Sequence, residues 1–146
     1  MLCCMLPFWV KSQPMEEYNT KVREVIVICK THFDIGYTHR VNDVVNYYQT
    51  EMIDRAFKVM DASGDLPKEQ QFAWTLPGWV LSKTMEDWKG QTPERRQKLD
   101  NKLKSGQIVP HALPFTMISD FCGLEEMARG LNFSSALCRK YNLPLS

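Results

Sequence analysis

Three short apolar runs along the chain are separated by longer segments with helical periodicity. Residues 25–29 form a continuous run rich in β-branched side chains, which is typical of a parallel strand covered on both faces. Residues 72–76 and 108–113 predict a second and a third strand. Pro110 lies inside the third run, so we expect imperfect pairing there, because proline has no N–H to donate to a neighbouring strand.

The segment after the first run predicts a helix of about five turns with one apolar face. Two charge pairs at i,i+4 spacing, Glu51 with Arg55 and Asp54 with Lys58, favour this helix. The Ser-Gly pair at 63–64 predicts its end. The apolar face consists of Val45, Tyr48, Met52, Ile53, Ala56 and Met60.

Three further helices are predicted downstream. Residues 79–88 have the spacing of a short helix, and the Thr-Pro-Glu sequence at 92–94 supplies an N-cap, an N1 proline and a first-turn acid for the next one. Gly106 predicts the end of that helix. The last helix is expected over residues 125–141, with Gly130 as its weak point. Its apolar side carries Leu124, Met127, Leu131 and Leu137.

Strands that alternate with helices predict an α/β fold with a parallel sheet and right-handed crossovers. Three strand–helix units are fewer than the seven or eight that close a β/α barrel, so the pattern is also compatible with a small open sheet. We expect an irregular N-terminal tail over residues 1–21, because its apolar stretch has no periodicity that matches the body. Residues 22–146 are predicted to form one partial β/α domain.

Composition and charge narrow the classes of partner. The chain has 18 Lys and Arg against 17 Asp and Glu, so its charge gives no indication of nucleic-acid binding. No apolar run approaches the roughly 18 residues of a membrane-spanning helix, so we expect no membrane partner. The 5 cysteines are odd in number and form no CxxC pair, which favours reduced thiols and a cytoplasmic location.

The loop after the first predicted strand carries the residues best suited to chemistry, because functional side chains in parallel α/β sheets collect at the carboxyl ends of strands. His32 and Asp34 are two positions apart, so in an extended loop both side chains point the same way toward one divalent metal. Zinc accepts an imidazole nitrogen and a carboxylate oxygen at about 2.0–2.2 Å. Gly36 lets the backbone turn next, and Tyr37 offers an aromatic wall for a sugar ring. Alternatively, His32 and Asp34 only cap the next helix or hydrogen-bond within the loop.

Other candidate residues for substrate binding lie on the second and third strands. His111 on the third strand is a candidate for the same pocket, where it would contact a substrate hydroxyl; a hydrogen-bonded histidine in or near the core is the favoured alternative. Trp74 and Trp79 offer a stacking platform for a sugar, although large aromatic residues in strands are more often part of the core. His39 is expected to be a solvated loop residue.

Acidic residues near the last helix suggest a general acid. They are better explained as acids at a helix start, where a negative charge complements the helix dipole. The residues concerned are Asp120, Glu125 and Glu126.

Residues 32–37, His-Phe-Asp-Ile-Gly-Tyr, lie between the first strand and the long helix and resemble the opening motif of glycoside hydrolase family 38, the α-mannosidase family, where it is His-x-Asp-Pro-Gly-Trp. Residues 72–74 and 106–109 follow in the order of the family's next strands. The sequences of residues 31–37 and of the His-Ala-Leu-Pro-Phe segment are most similar to an uncharacterised branch of the family. The resemblance covers about residues 22–144.

The resemblance implies a seven-stranded β/α barrel in which zinc is held by two aspartates and two histidines, one of the aspartates being the nucleophile of a retaining mechanism. His32 and Asp34 match the first histidine and the first aspartate of that set. The nucleophile and the second histidine belong to later segments, beyond Ser146, so the chain is expected to be an inactive N-terminal part. Ile35 and Tyr37 replace the family's Pro and Trp, which leaves the sugar specificity open.

These features predict that the chain is part of a metal-dependent glycoside hydrolase, an enzyme that hydrolyses glycosidic bonds in carbohydrates. A metal-dependent polysaccharide deacetylase on a related barrel is one alternative. A non-catalytic interaction fragment of the same fold is another. The strands missing from the barrel leave a sheet edge open, which predicts self-association.

Overall fold

The computed structural model describes residues 21–144 and contains a three-stranded parallel sheet. The strands are β1 (Cys29–Lys30), β2 (Trp74–Pro77) and β3 (Ile108–His111). They lie in the order β1-β2-β3, and Trp74 is the residue opposite both Cys29 and Ile108. The predicted parallel α/β arrangement is therefore confirmed, and the number of described strands corresponds to part of a β/α fold rather than to a barrel.

Helices connect the strands and follow the last one. In chain order they are α1 (Val41–Tyr47), a π-helical turn (Tyr48–Met52), α2 (Ile53–Ala62), α3 (Gly78–Met85), α4 (Pro93–Lys104), α5 (Leu124–Gly130) and α6 (Asn132–Tyr141), with 3₁₀ turns at Lys68–Gln70 and Ser119–Phe121. The first three run without interruption over residues 41–62 and correspond to the predicted long helix. None of the helices within residues 21–144 combines the length and the apolar character that a membrane span requires.

The first predicted strand is largely wrong. Only Cys29 of the run pairs with β2, and the four preceding side chains are between 68 and 79% exposed. A continuous β-branched run is stable as a buried strand only where both of its faces are covered, and no element of residues 21–144 covers this one. The predicted tail falls on residues 1–20, outside the described residues, apart from Lys21, which lies in a turn.

The core lies between the sheet and the helices that pack against it. One aromatic contact joins the loop after β1 to this core, in which Phe33 meets Tyr48 edge to face at 4.9 Å between centroids. Tyr48 in turn stacks on Trp74 of β2 at 6.3 Å. The apolar face predicted for the long helix is confirmed at its buried positions, which are Tyr48, Ile53, Ala56 and Met60. Other buried members are Leu76, Val80, Leu81, Leu99, Leu103, Ile108 and Leu137.

The charge pairs of the long helix differ in part from the prediction. Glu51 and Arg55 form the expected pair at 3.1 Å. Asp54 instead accepts from Arg95 of α4 at 2.6 Å, while the second guanidinium nitrogen of Arg95 donates to the carbonyls of Gln49 and Thr50 in the π-helical turn. A guanidinium presents several N–H donors in a fixed fork, so one side chain from another helix serves all three acceptors. The i,i+4 rule considers only residues of the same helix, so it could not predict a partner from α4.

The start of α4 is confirmed and the last predicted helix is corrected. Thr92 accepts from the Arg95 amide at 3.2 Å as an N-cap, and Gly106 ends the segment with φ of 80°. Downstream, residues 125–141 form two helices that meet at Leu131 rather than one. Leu124, predicted on the apolar side, is 88% exposed.

A close approach between α3 and α6 fixes the packing beside β3. A Cβ added to Gly78, the first residue of α3, would lie 2.9 Å from the Ser134 amide nitrogen and would overlap its hydroxyl oxygen. The amide of Gly78 donates to the Leu113 carbonyl and that of Trp79 to the Pro114 carbonyl, both at 3.1 Å. The loop after β3 therefore satisfies the first N–H groups of α3, which have no partner within the helix.

Candidate functional site

A cleft of about 430 Å³ opens at the carboxyl end of the sheet, and we call it the strand-end cleft. All three strands contribute to it, because the carboxyl ends of parallel strands meet at one edge. Its polar lining consists of Lys30, Thr31, His32, Thr75, His111 and Thr116. Two of the residues singled out from the sequence thus line one cavity, His32 from the loop after β1 and His111 from β3.

A second cleft, of about 700 Å³, lies between the loop after β1 and the first turns of the long helix, and we call it the loop cleft. His32 lines both clefts, whereas Asp34 lines only the loop cleft. His39, Asp43 and Tyr48 also line the loop cleft. His32 therefore lies at the boundary between the two cavities.

The loop after β1 is held by one buried ring and by hydrogen bonds. Phe33 is fully buried, while its neighbours His32 and Asp34 remain at the cleft surface, as the alternation of an extended segment requires. The Tyr48 hydroxyl donates to the Thr31 hydroxyl at 3.1 Å and approaches the His32 carbonyl at 3.4 Å. Burial of the Tyr48 side chain raises the pKa of its hydroxyl. The loop then reverses at Gly36, as expected, with φ of 76°.

The two residues predicted as metal ligands lie at the same cleft. His32 and Asp34 both line the loop cleft, and Asp34 Oδ2 accepts from the Thr38 hydroxyl at 2.7 Å. Within residues 21–144, no group of three or more His, Cys, Asp or Glu side chains is close enough to hold one ion. Zinc sites in proteins take at least three ligands from the chain. The described residues therefore do not amount to a complete zinc site.

His111 is fixed by the backbone around it. Its Nδ1 accepts from the Leu113 amide at 3.2 Å, and its carbonyl accepts from the Ser134 hydroxyl. In a neutral imidazole one nitrogen accepts and the other donates, so the Leu113 amide leaves the Nε2–H of His111 as a donor. The side chain is half-buried at the strand-end cleft, in a place where it can donate to a ligand.

None of the three aromatic residues predicted to contact a sugar is among the residues that line the strand-end cleft. Tyr37 is 93% exposed, at the tip of the loop. Trp74 is 3% exposed and stacks on Tyr48, so its ring faces belong to the core, which is the alternative stated for strand aromatics. Trp79 is half-buried between Phe33 and Phe115.

The acids at the last helices act at a helix start. Glu126 accepts from the Gly123 amide at 3.0 Å, and Glu125 pairs with Arg129 at 2.6 Å. Asp120 lies in the preceding 3₁₀ turn and is exposed. These contacts agree with the interpretation as first-turn acids.

Three polar residues of the strand-end cleft were not singled out from the sequence, namely Lys30, Thr75 and Thr116. Lys30 and Thr75 lie on β1 and β2 and occupy opposite positions in the register. The rule that pointed to His32, a polar side chain at the carboxyl end of a strand, applies to both. They were missed because neither belongs to a motif.

Comparison of the chain with models of protein families, with curated proteins and with solved structures found no match.

Proposed function

We propose that this chain carries the first metal-binding and sugar-binding strand ends of a glycoside hydrolase of the α-mannosidase type. The observation that carries the proposal is the shared strand-end cleft, where His32 after β1 and His111 on β3 face one cavity. In a parallel α/β sheet this edge is where substrates bind. A seven-stranded barrel, a carbohydrate substrate and a cytoplasmic location belong to the same proposal.

The polar groups around this cavity suit a sugar. Hydroxyl groups of a sugar both donate and accept, and the cleft offers threonine hydroxyls, imidazoles and an ammonium group at its wall. The apolar part of the lining offers surface to the C–H faces of a ring, and it consists of Pro77, Leu113, Phe115 and Met117. Binding and orienting a hexose is therefore the role we assign to these residues.

Zinc belongs to the proposal as a ligand of the loop after β1. His32 and Asp34 would supply two of its ligands, and the remaining positions would be filled by groups from outside residues 21–144 or by water. Zinc would orient the sugar hydroxyls when bound. The contribution of the described chain is the placement of those two side chains by the buried Phe33 and the turn at Gly36.

The proposal is tested by zinc affinity, measured by competition with a chromophoric chelator. We expect weak zinc binding by the full chain and a loss of at least about tenfold in His32→Ala and in Asp34→Ala, because each removes one ligand. His39→Ala is the matched control, since His39 lines the same loop cleft but lies outside the motif. Equal loss in His39→Ala would show that the motif is not the metal site.

An aryl α-mannoside assay on the same proteins sharpens this test. We expect no zinc-dependent turnover above the level of the Asp34→Ala variant, because the described residues offer two ligands where a catalytic zinc requires at least three. Turnover that both His32→Ala and Asp34→Ala abolish would contradict this expectation.

A second candidate function, an interaction fragment that pairs with another copy of itself, is favoured by the segment before β1. Residues 25–28 are apolar and exposed, and within the described residues β1 pairs with β2 on one side only. An open apolar edge is a template for another strand. We expect sedimentation to increase with protein concentration and Val27→Lys to abolish that increase. The matched control is Val59→Lys on the exposed side of α2, which should leave association unchanged.

A further inference from the structure

The strand-end cleft has a charge character that its proposed role does not require. Its lining contains one ammonium group and two imidazoles, and none of the described residues that line it carries a carboxylate. Asp34, the nearest acid in sequence, lines only the loop cleft. A site for a neutral sugar has no need of this imbalance, because neutral hydroxyl groups are served equally well by acceptors.

Lys30 is the centre of the imbalance. Within residues 21–144 its side chain has no hydrogen bond or ion pair to another side chain, although seven other basic residues are paired with acids. Lys30, Thr75 and His111 also line an adjoining cavity of about 350 Å³, so the three form the wall that both cavities share. An ammonium group without an acidic partner, at the edge of a cleft, is available to an anionic ligand.

The neighbours of Lys30 add donors directed at the same space. Thr75 lies opposite Lys30 in the register of β1 and β2, and His111 lies opposite Pro77 at the end of β3. The Leu113 amide occupies Nδ1 of His111, which leaves the Nε2–H for a ligand. An ammonium group, an N–H and hydroxyls provide the charge-assisted hydrogen bonds that an oxyanion accepts.

We propose that the strand-end cleft selects a sugar that carries an anionic substituent, a carboxylate or a phosphate ester, with Lys30 as the specificity-determining residue. The sugar part of this inference rests on the proposed function, while the anion part rests on the lining of the cleft alone. Any cation held by His32 would add to the same positive field.

Binding to the full 146-residue chain, freed of metal with a chelator, tests the inference. Calorimetric titrations compare a hexuronate, a hexose 6-phosphate and the corresponding neutral hexose, with inorganic phosphate as the probe of the anion alone. We expect at least one charged sugar to bind about tenfold more tightly than the neutral one, as a charge-assisted hydrogen bond provides. The two charged sugars distinguish a carboxylate from a phosphate ester.

The variants Lys30→Met and Lys58→Met remove the same charge from two exposed lysines, the second of them on α2. Lys30→Met should abolish the preference for the charged sugar, and Lys58→Met should preserve it. Equal affinity of the unaltered chain for charged and neutral sugars, or equal loss in both variants, overturns the inference and leaves the proposed function intact. Binding of inorganic phosphate without any gain from the sugar supports the anion site and contradicts the sugar-binding role.

Discussion

The two edge strands of the sheet, β1 and β3, end at the same cleft but differ in how they are held. β3 pairs with β2 over four residues, and its Ile108 and Pro110 are buried. β1 pairs over two residues and follows an exposed apolar segment. Of the two histidines at the cleft, His111 is therefore placed by the sheet and by α6, whereas His32 is placed by a loop.

The difference shows that a covering layer, rather than the apolarity of a strand, decides how far the strand extends. The helices α4 and α6 pack against β3, and two of its four side chains, Ile108 and Pro110, are buried. The run before β1 is more apolar and more β-branched, yet its side chains lie in solvent. Burying apolar area stabilises by about 25 cal/mol per Å², and the run before β1 lacks this contribution from residues 21–144.

The largest loss of stability is expected from Gly78→Ala, which disturbs the packing beside β3, the better paired of the two edge strands. The new Cβ would overlap Ser134, whose hydroxyl holds the His111 carbonyl. Overpacking against a backbone atom costs about 1–3 kcal/mol, and we expect the upper part of that range in chemical denaturation. Gly123→Ala is the matched control, since its Cβ would meet only the Glu126 carboxylate at 3.5 Å. Equal stability of the two variants would show that α3 and α6 do not constrain this end of the sheet.

A smaller effect is expected from releasing the loop side with Tyr48→Phe. The ring remains in the core, but the hydrogen bonds to Thr31 and to the His32 carbonyl are lost. The cost should be about 1 kcal/mol of unfolding free energy, with faster amide exchange in the loop after β1. Tyr47→Phe, at a partly exposed ring one position earlier, should change neither quantity. Similar changes in both variants would mean that Tyr48 does not hold the loop.

The smallest effect is expected away from both strand ends, in the pairs that join α2 to α4. Lys98 and Lys102 lie 2.6 and 2.9 Å from the Asp61 carboxylate and lower its pKa. A carboxyl with a lowered pKa in the fold stabilises above its ordinary value of 3.8, and this stabilisation is lost as pH falls through the folded pKa. Asp61→Asn should therefore cost less than about 1 kcal/mol at pH 7 and nothing in strong acid. Asp65→Asn serves as the control, and a deficit that persists in acid would assign the loss to packing.

Sequence reasoning succeeded where a single short-range cause dominates. The N-cap at Thr92 and the turns at Gly36 and Gly106 follow from local backbone chemistry, and each has the predicted role. The second and third strands were located to within a few residues, because helices cover them on the same chain. At these positions, the structure that the local sequence favours is also the one that the surrounding helices stabilise.

It failed where the outcome depends on a distant partner. Asp54 has a suitable lysine one turn away, but the structure pairs it with Arg95, 41 positions later in the chain. Trp74 has a side chain of the kind that stacks on sugars, but Tyr48 from the long helix stacks on its ring instead. At the candidate site, the loop and both histidines were identified from the sequence. Lys30 was not, because it belongs to no motif, and its lack of an acidic partner among the described residues is visible only in the structure.

The π-helical turn Tyr48–Met52 sets the angular phase of the long helix. A π turn accommodates one residue more than an α-helical turn, which amounts to about 100° of rotation between the segments on either side of it. Removing one residue there would restore a regular helix but rotate α1 relative to α2, so the Tyr48 hydroxyl and the buried face of α2 could no longer both point inward. The extra residue of the π turn therefore sets the orientation of α1 relative to α2. A change in the length of this helix should disturb the packing more than a substitution at one of its exposed positions.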